Sequence, residues 1–503
     1  MGARCSVVLV VGLVLLSVSL GFSATLRVPS AEYPTIQSAI GAANSGDTVQ
    51  VAAGTYYESL TWESKSIALV GAGAGVTIVS GDTDEDGSPG PGRCLTMTNV
   101  PDTARVEGFT FTGGSADSGG GLALVYSSPT LANNTIKGNS AEYGGGLRLD
   151  YSSAALVNNT ITGNGADRVG GGLAVFCSSP ALVYNTISRN SAQLHGGGLW
   201  VNISSATLTS NTISGNSAGG GGGGVGLYHA SPTFANNTIT GNSAHHGGGL
   251  DACYYSSPTL TNNTIATNTG GGVFNHGEPA GAPYAVGTPI ITNCVLWGNS
   301  GYDLAGASGT HSDIGTGELA GEGNISADPM FVDPSAGDYH LQDGSPCIDV
   351  GSNDAPSLPQ TDKDGNQRIV GALVDMGAYE WQGPSVIAVA IDIKPGSYPN
   401  SINLGSRGTV PVAILSDADF DATTVDPSQV YLAGAYVAIR GKGALMANEE
   451  DIDGDGLLDL VVHVDTENLS TDEIQDGYAY LLGFTYDGLE IEGCDEITIV
   501  PAE

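Results

Sequence analysis

Basic residues are scarce in this chain. It has 15 Lys and Arg against 52 Asp and Glu, which gives a formal net charge of −37 at pH 7. This balance argues against nucleic acids and anionic membranes as partners, because both are bound through clusters of positive charge. The imbalance is strong from Ser385 to Glu503, where 22 acidic residues face four basic ones. Such a carboxylate-rich segment indicates calcium ions as partners and an extracellular setting.

Cysteine is also rare, with seven residues, and a long apolar run occurs only once. That run, Val7 to Leu20, follows Arg4 and precedes Ser23 and Ala24, which is the pattern of a secretory signal peptide. We therefore predict that residues 1–24 are removed and that the protein is secreted or held at the cell surface. The alternative, an uncleaved anchor, has a run that is short for a spanning helix. The six later cysteines are too scattered for a disulfide scaffold, and their pairing stays open.

The middle of the chain lacks helical spacing of apolar residues and contains a repeat of 23 to 26 residues instead. Three markers keep one register through it, which indicates one structural unit per period. The glycine-led apolar marker falls at Leu122, Leu147, Leu173, Leu199, Val225, Leu250 and Val273. The Asn of "NTI" falls at Asn134, Asn159, Asn185, Asn211, Asn237 and Asn263, and the Asn of "GN" at Asn139, Asn164, Asn190, Asn216, Asn242 and Asn268.

Each unit reads as three short strands separated by turns of Gly, Asn, Ser and Pro. One such unit is a rung of a parallel β-solenoid, and it cannot bury its own leucines unless further rungs stack on it. Stacking places Leu on Leu, Ile on Ile and Asn on Asn. We therefore interpret the Asn and Gly rows as architectural, with Asn amides bonded along the axis and Gly at corners of positive φ.

The first segment after the signal fits the same fold. Pro34 opens a short helix with Ile36, Ile40 and Ala43 on one face, and strands follow in "TVQVAAG", "SIALVGA" and "VTIVSG". A solenoid needs its open end covered, and this helix is the predicted cap. With "GDTVQVAAGTYYE" the sequence resembles the pectin-lyase-like right-handed parallel β-helix proteins, and the "GGGL" and "NxTIxGN" repeats resemble those of bacterial β-helix surface proteins.

The segment from Ala327 to Trp381, "ADPMFVDPSAGDYHLQDGSPCIDVG…RIVGALVDMGAYEW", resembles the closing module that often ends such helices. The resemblance covers roughly Ala24 to Trp381 and implies a fold, which does not by itself assign an activity. "GTYYE" at Gly54–Glu58 matches a first motif of pectin methylesterases, but the other motifs of that family are missing. The patterns of polygalacturonases and the Arg-rich run of pectate lyases are missing too.

One face of the solenoid suits a polysaccharide. Counting from the glycine-led marker, the first and third residues that follow point outward. They include three aromatic rings flanked by polar groups, and aromatic faces stack on sugar CH groups. The predicted carbohydrate-binding residues are Arg148, Asp150, Phe176, Trp200, Asn202, Tyr228 and Asp251. The alternatives are that these rings pack under a loop or decorate a surface.

Two further features of this region could be catalytic or metal-binding, but each has a simpler structural interpretation. A lyase could use Arg148 with Asp150, although an Arg two residues from an Asp is more often a surface pair. His195 and His246 precede triple glycines two rungs apart, about 9.6 Å at strand spacing. That separation is too large for both to bind one zinc ion, so they are interpreted as turn residues.

The segment from Ser385 to Glu503 loses the repeat and reads as a separate β-rich, sandwich-like module. Its sharpest motif is "DIDGDGLLDLVVHV", which resembles the calcium loop of integrin-α-type repeats. The predicted calcium ligands are Asp451, Asp453, Asp455 and Asp459, with the Leu457 carbonyl as a ligand that the resemblance implies. Position 12, a Glu in an EF-hand, is Val462, so the loop departs from that family. The alternative is a solvated acidic turn.

The sequence thus predicts an all-β protein with three parts: a signal peptide at 1–24, a right-handed parallel β-helix at 25–384 with its closing module at 327–381, and a calcium-binding β module at 385–503. Its predicted function is to bind or present polysaccharide at the cell surface without catalysis. The alternative is a polysaccharide lyase or hydrolase of the pectin-lyase-like superfamily. The glycan and the oligomeric state stay open.

Overall fold

The computed structural model describes residues 23–84, 90, 92–276, 287–383, 386–418 and 420–500. Nearly all of the predicted signal peptide lies outside these residues. The chain divides into two units, the first ending at Trp381 and the second beginning at Gln382. Within the described ranges, no helix is both long and apolar enough to cross a membrane. The six cysteines of the described ranges are free thiols.

The first unit is a parallel β-solenoid, because successive rungs contribute strands in turn to the same sheets. Sheet A has 12 strands: Thr25–Val28, Thr48–Val51, Ala68–Gly71, Arg105–Glu107, Thr130–Ala132, Ala155–Val157, Ala181–Val183, Thr207–Thr209, Thr233–Ala235, Thr259–Thr261, Ile290–Thr292 and Gly309–Thr310. Sheet B has 10: Leu60–Glu63, Leu95–Thr98, Leu122–Val125, Leu147–Asp150, Leu173–Phe176, Leu199–Asn202, Val225–Tyr228, Leu250–Cys253, Val273–Asn275 and Leu304–Ala305.

The other two sheets complete the rungs. Sheet C has 11 strands: Gly54–Tyr57, Thr77–Ser80, Thr110–Thr112, Thr135–Lys137, Thr160–Thr162, Thr186–Ser188, Thr212–Ser214, Thr238–Thr240, Thr264–Ala266, Val295–Trp297 and Asp313–Ile314. Sheet D has five: Ser115–Ser118, Ser140–Tyr143, Gly165–Val169, Ser191–Ala192 and Ser217–Ala218. The predicted parallel solenoid is confirmed.

Like residues lie on like residues in these sheets. In sheet B, Leu173 pairs with Leu199, and Leu199 pairs with Val225. In sheet C, Ile161 pairs with Ile187. All five side chains are fully buried, so each rung completes the apolar core of its neighbours. The predicted register is confirmed.

The two Asn rows form ladders along the axis. Asn190 shows the pattern: its side-chain amide donates to Asn216 Oδ1 at 3.0 Å and to the Ile161 carbonyl at 2.9 Å. Its own Oδ1 accepts from the backbone N–H of Asn164 at 3.0 Å. Each Asn therefore satisfies buried backbone groups at a corner where no strand can do so. The architectural interpretation of the Asn rows is confirmed.

The triple glycines are required at the entry to sheet B. Gly144 has φ of 67°, a conformation that residues with a Cβ disfavour. Gly145 follows, and a Cβ there would overlap the carbonyl oxygen of Gly165. The chain between sheets D and B therefore passes close to the neighbouring rungs, and only glycine permits that approach.

Among the described residues the one α-helix, Ile36–Ala42, follows the first strand of sheet A, Thr25–Val28, and precedes all the other strands of the solenoid. Thr35, rather than Pro34, is its N-cap, and Thr35 and Ser38 form a capping box. The Glu58 carboxylate accepts from the N–H groups of Ile36 and Gln37, both at 2.9 Å. Together these contacts satisfy the free donors of the first turn, while the buried face packs on the first strands of sheets A and B.

The segment that resembles a closing module contains one antiparallel pair, Phe331–Asp333 with Asp338–Leu341. It runs back along the side of the solenoid, since Lys363 Nζ donates to the Ser210 and Asn211 carbonyls at 3.1 and 2.9 Å. In its irregular parts, side chains form the hydrogen bonds to backbone groups that neighbouring strands form elsewhere. Arg368 is buried and donates to carbonyls including Gly377 at 2.7 Å.

The second unit is β-rich and has its own apolar core. Its six-stranded sheet contains Val386–Ala388, Glu490–Glu496, Tyr478–Phe484, Tyr431–Leu432, Ala435–Tyr436 and Ile474–Gln475. Its four-stranded sheet contains Ile391–Ile393, Thr409–Ile414, Asp459–Asp465 and Ala447–Glu450. Two further pairs join Ser401–Ile402 to Thr498–Ile499 and Ile439–Arg440 to Ala444–Leu445, and 3-10 turns lie at Ala422–Thr424, Pro427–Gln429, Thr466–Asn468 and Thr471–Glu473.

Candidate functional site

The predicted carbohydrate-binding residues all lie on the outer side of sheet B, but the chain from sheet D folds over part of that face. Arg148 forms a two-point ion pair with Asp150, with Nε–Oδ2 at 2.7 Å and Nη2–Oδ1 at 2.9 Å. Its guanidinium lies 4.2 Å from the centre of the Phe176 ring and 5.3 Å from that of Tyr143 in sheet D. These four side chains form one half-buried cluster, which fits the surface-pair interpretation of Arg148 and Asp150.

Two of the predicted residues are buried, contrary to the expected exposure. Trp200 is only 7% exposed, and its ring stacks on His195, with centroids 5.5 Å apart. Burial also lowers the pKa of His195. Asp251 is 0% exposed, with ring nitrogens of His246 and His276 beside its carboxylate. The Trp200 ring is therefore covered by the segment that carries His195.

The remaining predicted residues of this face, Phe176, Asn202 and Tyr228, are half-buried. Tyr228 lies at the edge of an aromatic group, 6.1 Å from Trp200 and 5.0 Å from Tyr254 between ring centres. The side chain that follows each of these strands directly is more exposed. The face is therefore accessible at the ends of its strands rather than at their centres.

The fourth residue after each glycine-led marker forms an exposed row that the sequence pattern did not single out. We call it the corner row; it comprises Tyr126, Tyr151, Cys177, Ile203, His229 and Tyr254. Every member has a positive φ, between 39° and 51°, which turns the chain out of sheet B and points the side chain to solvent. Tyr126 and Tyr151 are 59% and 57% exposed and stack at 5.1 Å with an angle of 14°.

His276 is a second residue that the sequence analysis missed, although its pattern was available. It occupies the third position after Val273, the same place as Cys253 after Leu250. Its backbone N–H donates to the Ala252 carbonyl at 3.0 Å, which fixes it beside the preceding rung. Extending the outward row by one rung would have placed this histidine near Asp251.

The predicted calcium loop of the second unit brings three of its four aspartates together. Carboxylate oxygens of Asp451, Asp453 and Asp459 lie within 4.8 Å of one another. Asp455 instead accepts from the N–H of Leu457 at 2.7 Å. Asp459 is fully buried, and the N–H of Ser416 anchors its Oδ1 at 2.8 Å.

Those three carboxylates suit a hard cation, because calcium takes six to eight oxygen ligands and water can complete the set. Backbone groups of the loop also fix the position of Asp451, since its carboxylate accepts from the N–H groups of Gly454 and Gly456 at 2.8 and 3.2 Å. Those bonds fix the Asp451 carboxylate across the turn. The fit supports calcium as a proposal, and the Leu457 carbonyl stays a prediction.

The family comparison decides the type of solenoid. A family model described as the right-handed β-helix region matches residues 92–239 and 185–315. The repeat region is a right-handed parallel β-helix. Right-handed crossover between parallel strands is also the rule for such connections. No curated protein matches the sequence.

Three solved structures are similar to this β-helix in part. Pectate lyase Pel9A is 12% identical, with a TM-score of 0.44, over 72% of this chain and 97% of that one. A variant of the PL6 family alginate lyase AlyGC is 13% identical, with a TM-score of 0.30, over 73% of this chain and 61% of that one. AlyGC itself has the same identity and coverage, with a TM-score of 0.24. Similarities of this size assign no activity to the β-helix.

Proposed function

We propose that this protein is secreted or held at the cell surface and binds polysaccharide along the outside of its β-helix without cleaving it. The observation that carries this proposal is the corner row, in which aromatic and apolar side chains are exposed on successive rungs. A calcium ion in the loop at 451–459 stabilises the second unit, and the helix Ile36–Ala42 covers the open end of the solenoid. The second unit acts as a sandwich-like accessory module.

The corner row has the geometry of a surface for a linear polymer. Its six rungs, at about 4.8 Å each, span roughly 24 Å from Tyr126 to Tyr254. Exposed aromatic rings are unfavourable in water unless they meet a partner, and sugar rings offer the CH faces that stack on them. Cys177 and Ile203, in the middle of the row, are also exposed and provide apolar surface between Tyr151 and His229.

Polar side chains lie beside this row, as orientation of sugar hydroxyls requires. Asp150 and Asn202 each precede a member of the row by one residue and are half-buried, although Asn202 Oδ1 itself is buried. Two guanidinium nitrogens of Arg148, Nε and Nη2, donate to the two carboxylate oxygens of Asp150, which leaves the guanidinium poorly placed to remove a proton from a sugar. This arrangement supports binding over a lyase reaction.

The test uses the full mature chain and a panel of neutral and acidic polysaccharides. Affinity electrophoresis measures retardation, while reducing ends and the ultraviolet absorbance of unsaturated products measure cleavage. We expect retardation by at least one polysaccharide and no product. The alternative, a polysaccharide lyase, predicts product that disappears in Arg148→Ala, and that result would overturn the proposal.

A further inference from the structure

Three potential metal ligands from two adjacent rungs meet beside sheet B. His246 precedes the strand Leu250–Cys253, Asp251 lies on that strand, and His276 follows the strand Val273–Asn275. His276 Nε2 lies 2.9 Å from Asp251 Oδ1, and His246 Nδ1 lies 3.5 Å from Asp251 Oδ2. The three ligand atoms all fall within 4.8 Å of one another.

These atoms lack the hydrogen bonds that buried polar groups normally have. Among the residues that the structure describes, His246 Nδ1, Asp251 Oδ1 and His276 Nε2 are buried without a hydrogen-bond partner. The three atoms are close together, but the angles between them do not allow hydrogen bonds. A fully buried carboxylate needs a compensating positive charge, and a cation between the three atoms would supply it.

The surrounding residues leave room for such a group. Gly221 is the bridge partner of His246 in the preceding rung, and a Cβ there would collide with Asp251 Oδ2 and lie 2.8 Å from His246 Cε1. The Phe274 ring packs at 5.2 Å from His246 and 4.6 Å from His276, which holds both imidazoles in place. Gly221, which has no side chain, therefore leaves space on one side of the site, and the Phe274 ring bounds the other side.

We propose that His246 Nδ1, the Asp251 carboxylate and His276 Nε2 bind a divalent transition-metal ion of the zinc class. Two imidazoles and one carboxylate match the ligands of zinc and its neighbours, whereas calcium and magnesium prefer oxygen alone. Three protein ligands leave one position open. The histidine side chains are 28% and 35% exposed, so the ion can enter from solvent. His195 is not a ligand, because its Nδ1 accepts from the Gly221 N–H at 3.1 Å.

The test is a zinc titration of the untagged, chelator-treated mature chain, with excess calcium present to occupy carboxylate sites. Isothermal calorimetry measures the affinity, and the visible absorption of bound cobalt(II) reports imidazole and carboxylate coordination independently. We expect one strong zinc site per chain in the wild type. His276→Ala should weaken it by at least about 100-fold, since loss of even an outer-shell partner costs 10- to 100-fold.

The matched control is His245→Ala, because His245 is exposed and its ring lies only 5.5 Å from that of His246. It should leave the zinc affinity unchanged. Gly221→Ala is a second variant, which fills the site without removing a ligand and should also abolish strong binding. No strong site in the wild type, or equal weakening by His245→Ala and His276→Ala, would overturn the proposal.

Discussion

The indole of Trp200 lies against Gly226, its register partner in the next strand of sheet B. A Cβ at position 226 would be 2.7 Å from Trp200 Cε3, closer than two carbon atoms can approach. The ring thus occupies the space that a side chain would otherwise take. This relationship explains why a large aromatic residue on the outer face of the sheet is nearly inaccessible to solvent.

Gly226→Ala should push the Trp200 ring outward. Because the indole then meets water, we expect a red shift of the tryptophan fluorescence and a loss of about 1–3 kcal/mol of stability from overpacking. Gly165→Ala is the control, since the nearest atom to a Cβ there is 3.8 Å away and its φ is not positive. An unchanged emission spectrum in Gly226→Ala would show that the ring is already exposed.

Asn190→Ala should destabilise the β-helix strongly. It leaves the Asn164 N–H and the Ile161 carbonyl without their partners, and each unsatisfied buried group costs about 1–3 kcal/mol. We expect a fall of several degrees in the Tm of the first unit by calorimetry. Asn202→Ala removes a half-buried amide outside the ladders and should change the Tm little. Equal Tm values for the two variants would contradict the ladder account.

The first unit should lose stability as pH rises towards 7. Burial raises the pKa of Glu380 to about 7 from an ordinary value of 4.5, so the folded state holds a proton that the unfolded state has released between these values. Its contribution is therefore full below about pH 4.5 and is lost as pH rises through about 7.

The measurement for Glu380 is the Tm of the first unit between pH 4.5 and 8, in the wild type and in Glu380→Gln. The variant cannot ionise, so its Tm relative to the wild type should rise with pH across this window. Glu318→Gln alters an exposed carboxylate and should follow the wild type. A Glu380→Gln curve parallel to the wild type would contradict the expected shift.

Calcium should stabilise the second unit through the loop at 451–459. Saturation at 100 times the Kd raises stability by about 2.7 kcal/mol, which appears as a higher Tm and disappears with a chelator. Asp453→Asn should weaken calcium binding by about tenfold or more, because a ligand charge is lost. Asp487→Asn changes an exposed acid elsewhere in this unit and should bind normally. Calorimetry that detects no calcium uptake by the wild type would leave only a solvated acidic turn.

The solenoid was predictable because its determinants are repeated. Leu173, Leu199 and Val225 share a position in every rung, so their period alone predicted that they stack. The same holds for the Asn ladders, where one Asn per rung forces the same bond each time. An error of one or two residues in a predicted strand boundary does not change which residues of successive rungs are paired.

The details of the outer face were not predictable in the same way, because they depend on departures from the repeat. Trp200 is buried because the next rung has Gly226 where others have a side chain. Asp251 is buried because His246 and His276 come from different positions of neighbouring rungs. The corner row was missed because a Tyr, Ile or Cys that follows a strand does not reveal a positive φ in the sequence.

The central claim, that polysaccharide binds along the corner row, is tested most directly by the affinity of Tyr126→Ala/Tyr151→Ala for the polysaccharide that retards the wild type. The two rings contribute about 0.5–1.5 kcal/mol each, or about 1–3 kcal/mol together, so the account predicts a loss of affinity of about 5- to 150-fold. Tyr184→Ala is the matched control, because Tyr184 is also exposed and has a positive φ but lies at the corner between sheets A and C. An unchanged affinity in the double variant, or an equal loss in Tyr184→Ala, would contradict the account.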